Sequence, residues 1–193
     1  MKHFAEYYKD LLDWEDVKFQ ELISDWREDL IEEIKKDFQL AVANSKLKGL
    51  AFIPNKTNQS VGNQVEIVAL EKLNEHLITF QIENCSGAGY PDRILTKGDS
   101  KQIALEMKAT GDWNPKDSNR RVLTSSSKKL REKFISPIYH LLCTVVYKSE
   151  DGKAEIDSLR LDFIEPLTEV SVRLEASVSH KILTNANHKS IVF

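Results

Sequence analysis

Residues 101–110, KQIALEMKAT, constrain the fold more than any other stretch of this chain. In a β-strand, successive side chains take opposite faces. Ile103, Leu105, Met107 and Ala109 then point one way, and Ala104, Glu106, Lys108 and Thr110 the other. The first face is apolar throughout and needs a cover. The second starts apolar and ends with an acid and a base side by side. Just upstream, Lys97-Gly98-Asp99-Ser100 reads as a hairpin turn, so residues 90–96 are expected to return antiparallel. That return brings Asp92 towards Glu106. Two carboxylates and an amine then converge at one edge of a sheet.

Close carboxylates repel and are stable as anions only with a cation between them. Ligation by oxygen alone suits Mg²⁺, which keeps several waters and takes one or two carboxylates. Lys108 would stand beside the water, positioned to orient or deprotonate it. A phosphodiester is the substrate such a site fits. The spacing alone is weak, because the chain holds five acid-x-lysine triplets: Asp16/Lys18, Glu33/Lys35, Asp99/Lys101, Glu106/Lys108 and Asp151/Lys153. Two fall in expected helix, where residues two apart diverge by about 200°. Two more fall in turns. Only Glu106-Met107-Lys108 ends an apolar strand one hairpin after a Pro-Asp.

Pro91-Asp92, a 13-residue interval and Glu106-Met107-Lys108 resemble the PD-(D/E)XK nuclease superfamily. The lead-in Gly87-Ala88-Gly89-Tyr90 is similar to that of many type II restriction endonucleases. So is an acid on the first core helix, here Glu66. The resemblance covers roughly residues 60–148 and implies Asp92 and Glu106 as Mg²⁺ ligands, with the Met107 backbone carbonyl, Lys108 serving the water, and Glu66 supporting the metal site. It implies a type II site-specific endonuclease of double-stranded DNA, working as a homodimer with no nucleotide cofactor. A structure-specific repair or recombination nuclease is one alternative. A non-catalytic nucleic-acid-binding protein of the same fold is the other.

The rest of the chain fits a mixed α/β sheet. Phe19, Leu22, Trp26, Leu30, Ile34 and Phe38 follow helical steps and predict a helix running to about residue 43. Residues 49–60 read as a linker, and residues 61–77 as a second helix with Glu66 on its apolar stripe beside Leu70, Leu73 and Leu77. Strands are expected at 77–85, 90–96 and 101–110, a helix at 125–135, and strands at 138–148 and 154–165. The core order from residue 60 is therefore α-β-β-β-α-β, with N-terminal helices before it and extra β structure after it. The 193 residues suit one nuclease domain: a helical element at 1–48, a catalytic core at 60–148 and an extension at 149–193 whose tail reads as strand or helix.

Charge is unevenly spread. The net value is −3, yet residues 1–37 carry twelve acids against six bases and residues 108–133 eight bases against three acids. The basic run follows the acid–lysine strand, and Lys116, Asn119, Arg120, Arg121, Ser126, Lys128, Lys129 and Arg131 are its candidate DNA contacts. The acidic helix would face away from phosphates and is a candidate dimer element. Cys85 and Cys143 have no ligand-like spacing and read as buried thiols of a cytoplasmic protein. No apolar run is long enough to span a bilayer, and the N-terminus has no signal-peptide pattern. His76, His140 and His180 are scattered and read as core or surface residues. Gly87-x-Gly89 has no helix after it to make a phosphate loop.

Overall fold

The strand expected at 101–110 forms as the centre of a six-stranded sheet. The computed structural model describes residues 2–3, 23–55, 61–87, 89–111, 130 and 132–170. Its strands are β1 (Lys2–His3), β2 (Ala51–Phe52), β3 (Gln81–Asn84), β4 (Arg93–Lys97), β5 (Ser100–Thr110), β6 (Tyr139–Glu150), β7 (Lys153–Ile164) and β8 (Glu169–Val170). Its helices are α1 (Glu28–Asn44) and α2 (Val61–His76). The large sheet has the order β2-β7-β6-β5-β4-β3, and β1 pairs separately with β8. Only the β5–β6 pair in the large sheet is parallel; its other pairs are antiparallel. A parallel pair needs a crossover between its strands, and the helical turn at Leu130 and residues 132–133 lies in that connection. The order α2, β3, β4, β5, helical turn, β6 is the mixed α/β order expected.

Alternation along β5 builds two apolar layers. Ile103, Leu105 and Met107 join Leu141 and Cys143 of β6 beneath Val65, Ala69 and Leu73 of α2 and Ile34, Phe38 and Ala41 of α1. Ala104 faces the other way, with Tyr90, Ile94, Leu130, Phe134, Ile138 and Ile164. Each fully buried side chain of the Leu105 or Leu141 kind contributes about 1.5–3 kcal/mol.

The β4–β5 turn is two residues long, with Lys97 opposite Ser100. Gly98 takes φ +55° there, a left-handed conformation that costs a side-chain-bearing residue energy. A Cβ at this position would meet nothing within 4 Å. Gly98→Ala should therefore lose only the backbone term, about 1 kcal/mol, read as a lower urea midpoint with an unchanged slope.

Three expectations are corrected. The N-terminal helix does not pass through Trp26. Arg27 is extended (φ −83°, ψ 135°), and Glu28 and Asp29 open α1, where acids favour the positive end of the helix dipole. Trp26 instead packs on Tyr139 and Phe163, at 4.9 Å between ring centroids in each case. Its amide donates to Glu165 Oε2 at 3.2 Å, and the Ser24 amide to the Ile138 carbonyl at 2.9 Å. Phe19 and Leu22 lie outside the described residues, and Lys2–His3 is strand rather than helix.

The first core strand begins at Gln81, not residue 77. The amides of Ile78, Thr79 and Phe80 donate instead to the carboxylate of Asp37, a buried acid on α1. Lastly, the expected linker at 49–60 contributes β2, which pairs with β7.

Candidate active site

The β4–β5 register sets Arg93 opposite Leu105 and Ile94 opposite Ala104, so Asp92 falls beside Glu106. The Asp92 amide donates to Glu106 Oε2 at 3.1 Å. Lys108 Nζ stands 2.6 Å from Glu106 Oε1, an ion pair within the strand's polar face. Glu106 is only 2% exposed, so this is not the solvated surface pair that an acid-x-lysine triplet usually makes. The other triplets behave as their settings dictate. Lys35 pairs with Glu32 and Glu33 with Lys97, on different sides of α1. Asp99 and Asp151 occupy turns, and Asp16 and Lys18 lie outside the described residues.

The main chain of Asp92 is tied on both sides. Its carbonyl accepts the Cys85 amide at 2.9 Å and Arg93 Nη1 at 3.0 Å. Gly87 and Gly89 hold φ of +102° and +81°, conformations open to glycine, and they shape the loop that leads to it.

Glu66 reaches the cluster from α2. The buried stripe of that helix is Gly62, Val65, Ala69 and Leu73, so Glu66 lies at its flank, half-buried, rather than on it. Arg93 Nη2 stands 3.6 Å from Glu66 Oε1. Strand alternation directs Arg93 to the helix side of the sheet while Asp92 serves the other. Arg93 is a site residue that sequence reasoning missed, although its place directly after Asp92 on an alternating strand was the available signal. Its Nε is buried with no hydrogen-bond partner among the described residues.

Charge at the site is asymmetric. Burial lifts the carboxyls of Glu106 and Glu66 above the ordinary glutamate range, although Lys108 pulls both back. Burial opposes the charge on Lys108 too, but Glu106, Asp92 and Glu66 together outweigh it and raise the amine above its usual value. Lys108 is therefore firmly protonated in this arrangement.

Among the described residues, no three His, Cys, Asp or Glu side chains form a ready-made cage for an ion. The donors the sequence singled out are sparser: the carboxylates of Asp92 and Glu106 and the carbonyl of Met107. That hard-oxygen set suits Mg²⁺, which completes its shell with water. Lys116, Asn119, Arg120, Arg121, Ser126, Lys128, Lys129 and Arg131 lie outside the described residues. Cys85 and Cys143 are buried thiols outside any disulfide, and burial pushes Cys143 up, away from the reactive thiolate. No described helix is long and apolar enough to cross a membrane.

Fold and site together define a mixed α/β protein with an acid–acid–lysine centre where the pairing of β4 with β5 ends. No family model matches the chain. No curated protein matches it either. Among solved structures it is similar to the NlaIV restriction endonuclease, with 19% identity and a TM-score of 0.41. The match covers 74% of this chain and 59% of that one. The likeness is distant, and no residue role is carried over from it.

Proposed function

We propose that this chain is a Mg²⁺-dependent endonuclease that hydrolyses phosphodiester bonds of double-stranded DNA at a specific sequence, in the manner of a type II restriction enzyme. The observation that carries the reading is the buried Glu106–Lys108 pair with the Asp92 amide on its second oxygen. Burying a carboxylate is costly, and an acid and an amine held together out of water at the mouth of a strand pair are a mark of functional sites.

Asp92, Glu106 and the Met107 carbonyl would hold the metal, and Glu66 would support it from α2. When bound there, Mg²⁺ supplies positive charge to the phosphodiester and makes water more acidic. The protein's own groups do the rest. Lys108, protonated, offers hydrogens to the attacking water or to a phosphate oxygen and stabilises the charge that develops as the P–O bond breaks. Arg93 holds Glu66 against the cluster. The basic and polar residues Lys116, Asn119, Arg120, Arg121, Ser126, Lys128, Lys129 and Arg131 track the DNA. Cutting both strands needs two such sites, which a homodimer supplies.

The test is digestion of plasmid and phage DNA with Mg²⁺ and with EDTA. Discrete fragments that vanish in EDTA are expected. Asp92→Ala and Lys108→Ala should each lower the cleavage rate by about 10²–10³-fold. A wild-type protein that never cuts, or variants that cut as well as it does, would refute the assignment. Smears, or cutting confined to branched DNA, would move the reading to a structure-specific nuclease.

A further inference from the structure

Tyr90 stands two residues before Asp92 and has no part in the chemistry above. It is 2% exposed, and His140 of β6 is 0% exposed. The Tyr90 hydroxyl and His140 Nδ1 are 2.7 Å apart, a hydrogen bond whose direction the histidine tautomer sets. The two rings stack at 5.8 Å between centroids and 16° between planes.

These residues are 50 positions apart in sequence, and β5 lies between the strands they belong with. Ala104 of β5 pairs with Ile94 on one side and His140 on the other. Only a methyl group stands between the tyrosine loop and the histidine strand, and that leaves room for the ring to reach across. A buried hydroxyl or imidazole that loses a hydrogen-bond partner is destabilised. The hydrogen bond therefore favours one height of the loop above β5. Gly87 and Gly89 give that loop little stiffness of its own.

We propose that Tyr90 and His140 are positioning residues, whose buried hydrogen bond anchors the loop to β6 and thereby sets Asp92 against Glu106. Their effect on rate rests on the endonuclease reading; their effect on the loop does not.

Amide hydrogen exchange by NMR, with cleavage kinetics on the same samples, tests this. Tyr90→Phe keeps the ring and loses the hydroxyl. Exchange at the Asp92 and Cys85 amides should speed by about 5–10-fold, the loss of one hydrogen bond, while the β5 and β6 ladder amides keep their rates. The turnover number should fall about tenfold, with the KM for DNA unchanged. His140→Leu should behave like Tyr90→Phe. His140→Asn keeps a polar atom near the place of Nδ1 and should restore both readouts. Unchanged exchange at Asp92, uniformly faster exchange across the sheet, or an unchanged turnover number in a protein that cuts would each overturn the proposal. If the wild type cuts no DNA, the endonuclease reading fails while the exchange measurement still decides the anchor.

Discussion

Replacing Glu106 with glutamine is expected to abolish DNA cleavage and, at neutral pH, to make the protein harder to unfold. The loss of activity should reach about 10³–10⁴-fold, because the substitution removes the negative charge both from the proposed metal ligand and from the partner of Lys108. The gain in stability follows from the sign of the carboxyl's shift. Burial raises the folded-state pKa of Glu106 above its unfolded value, and the pull of Lys108 does not undo it. The folded chain therefore holds this proton more tightly than the unfolded chain. Below the unfolded carboxyl range, both states are protonated and the group costs nothing. As pH rises from that range through the raised folded value, ionisation favours the unfolded state, and the penalty stays in full above it.

Glutamine does not titrate, so it escapes the penalty. Lys108 keeps Asp92 and Glu66 as counter-charges in the variant. Urea unfolding of wild type and Glu106→Gln across pH 4–8 is the measurement. The curves should converge at the acid end and separate towards neutral, with the variant the more stable. A variant less stable at pH 7 than at pH 4, relative to wild type, would mean that the ion pair rather than burial dominates. Stability surrendered for function is the ordinary condition of an active site.

The largest loss of stability is expected from a residue with no place in the chemistry. Asp37 is 4% exposed and sits among the apolar residues of α1. Its Oδ1 accepts the Ile78 amide at 3.0 Å, and its Oδ2 accepts Thr79 at 3.0 Å and Phe80 at 2.9 Å. One carboxylate thus closes the connection from α2 into β3 and fastens it to α1. Hydrogen bonds to a charged acceptor contribute more than neutral ones, and a buried donor left without a partner is expensive. Ile78 and Thr79 lie in exposed residues whose amides can rehydrate, whereas Phe80 is buried. Asp37→Ala should therefore cost about 3 kcal/mol in urea unfolding, less than three full bonds would suggest. Asp37→Asn keeps one acceptor oxygen and should recover part of the loss. Equal losses for both would mean that the charge matters more than hydrogen-bond geometry.

Asp37 also shows why the sequence misled at this point. Residues 77–80, LITF, have the composition of a strand, and nothing within ten residues contradicts it. The group that claims their amides lies some forty positions away, on a helix where an acid ordinarily points to water. Trp26 is the parallel case. Its spacing from Leu30 is helical, yet aromatic contacts with β6 and β7 hold its segment extended, and these follow it by more than a hundred residues. Propensity and periodicity act over a turn or two, and both errors come from partners beyond that range.

What the sequence determined by itself was local. Strand alternation placed Glu106 and Lys108 on one face, and a two-residue turn set Asp92 opposite Glu106. Helical periodicity drew α2 almost to the residue. Each rests on the short-range geometry of the backbone, which needs no knowledge of the rest of the chain. Tertiary structure alone decided that Glu106 is buried, that Arg93 meets Glu66 and that Tyr90 meets His140. Burial and long-range pairing depend on which elements stack over which, and that is settled only when the sheet has its neighbours. The same distinction separates an ordinary acid-x-lysine triplet from this one.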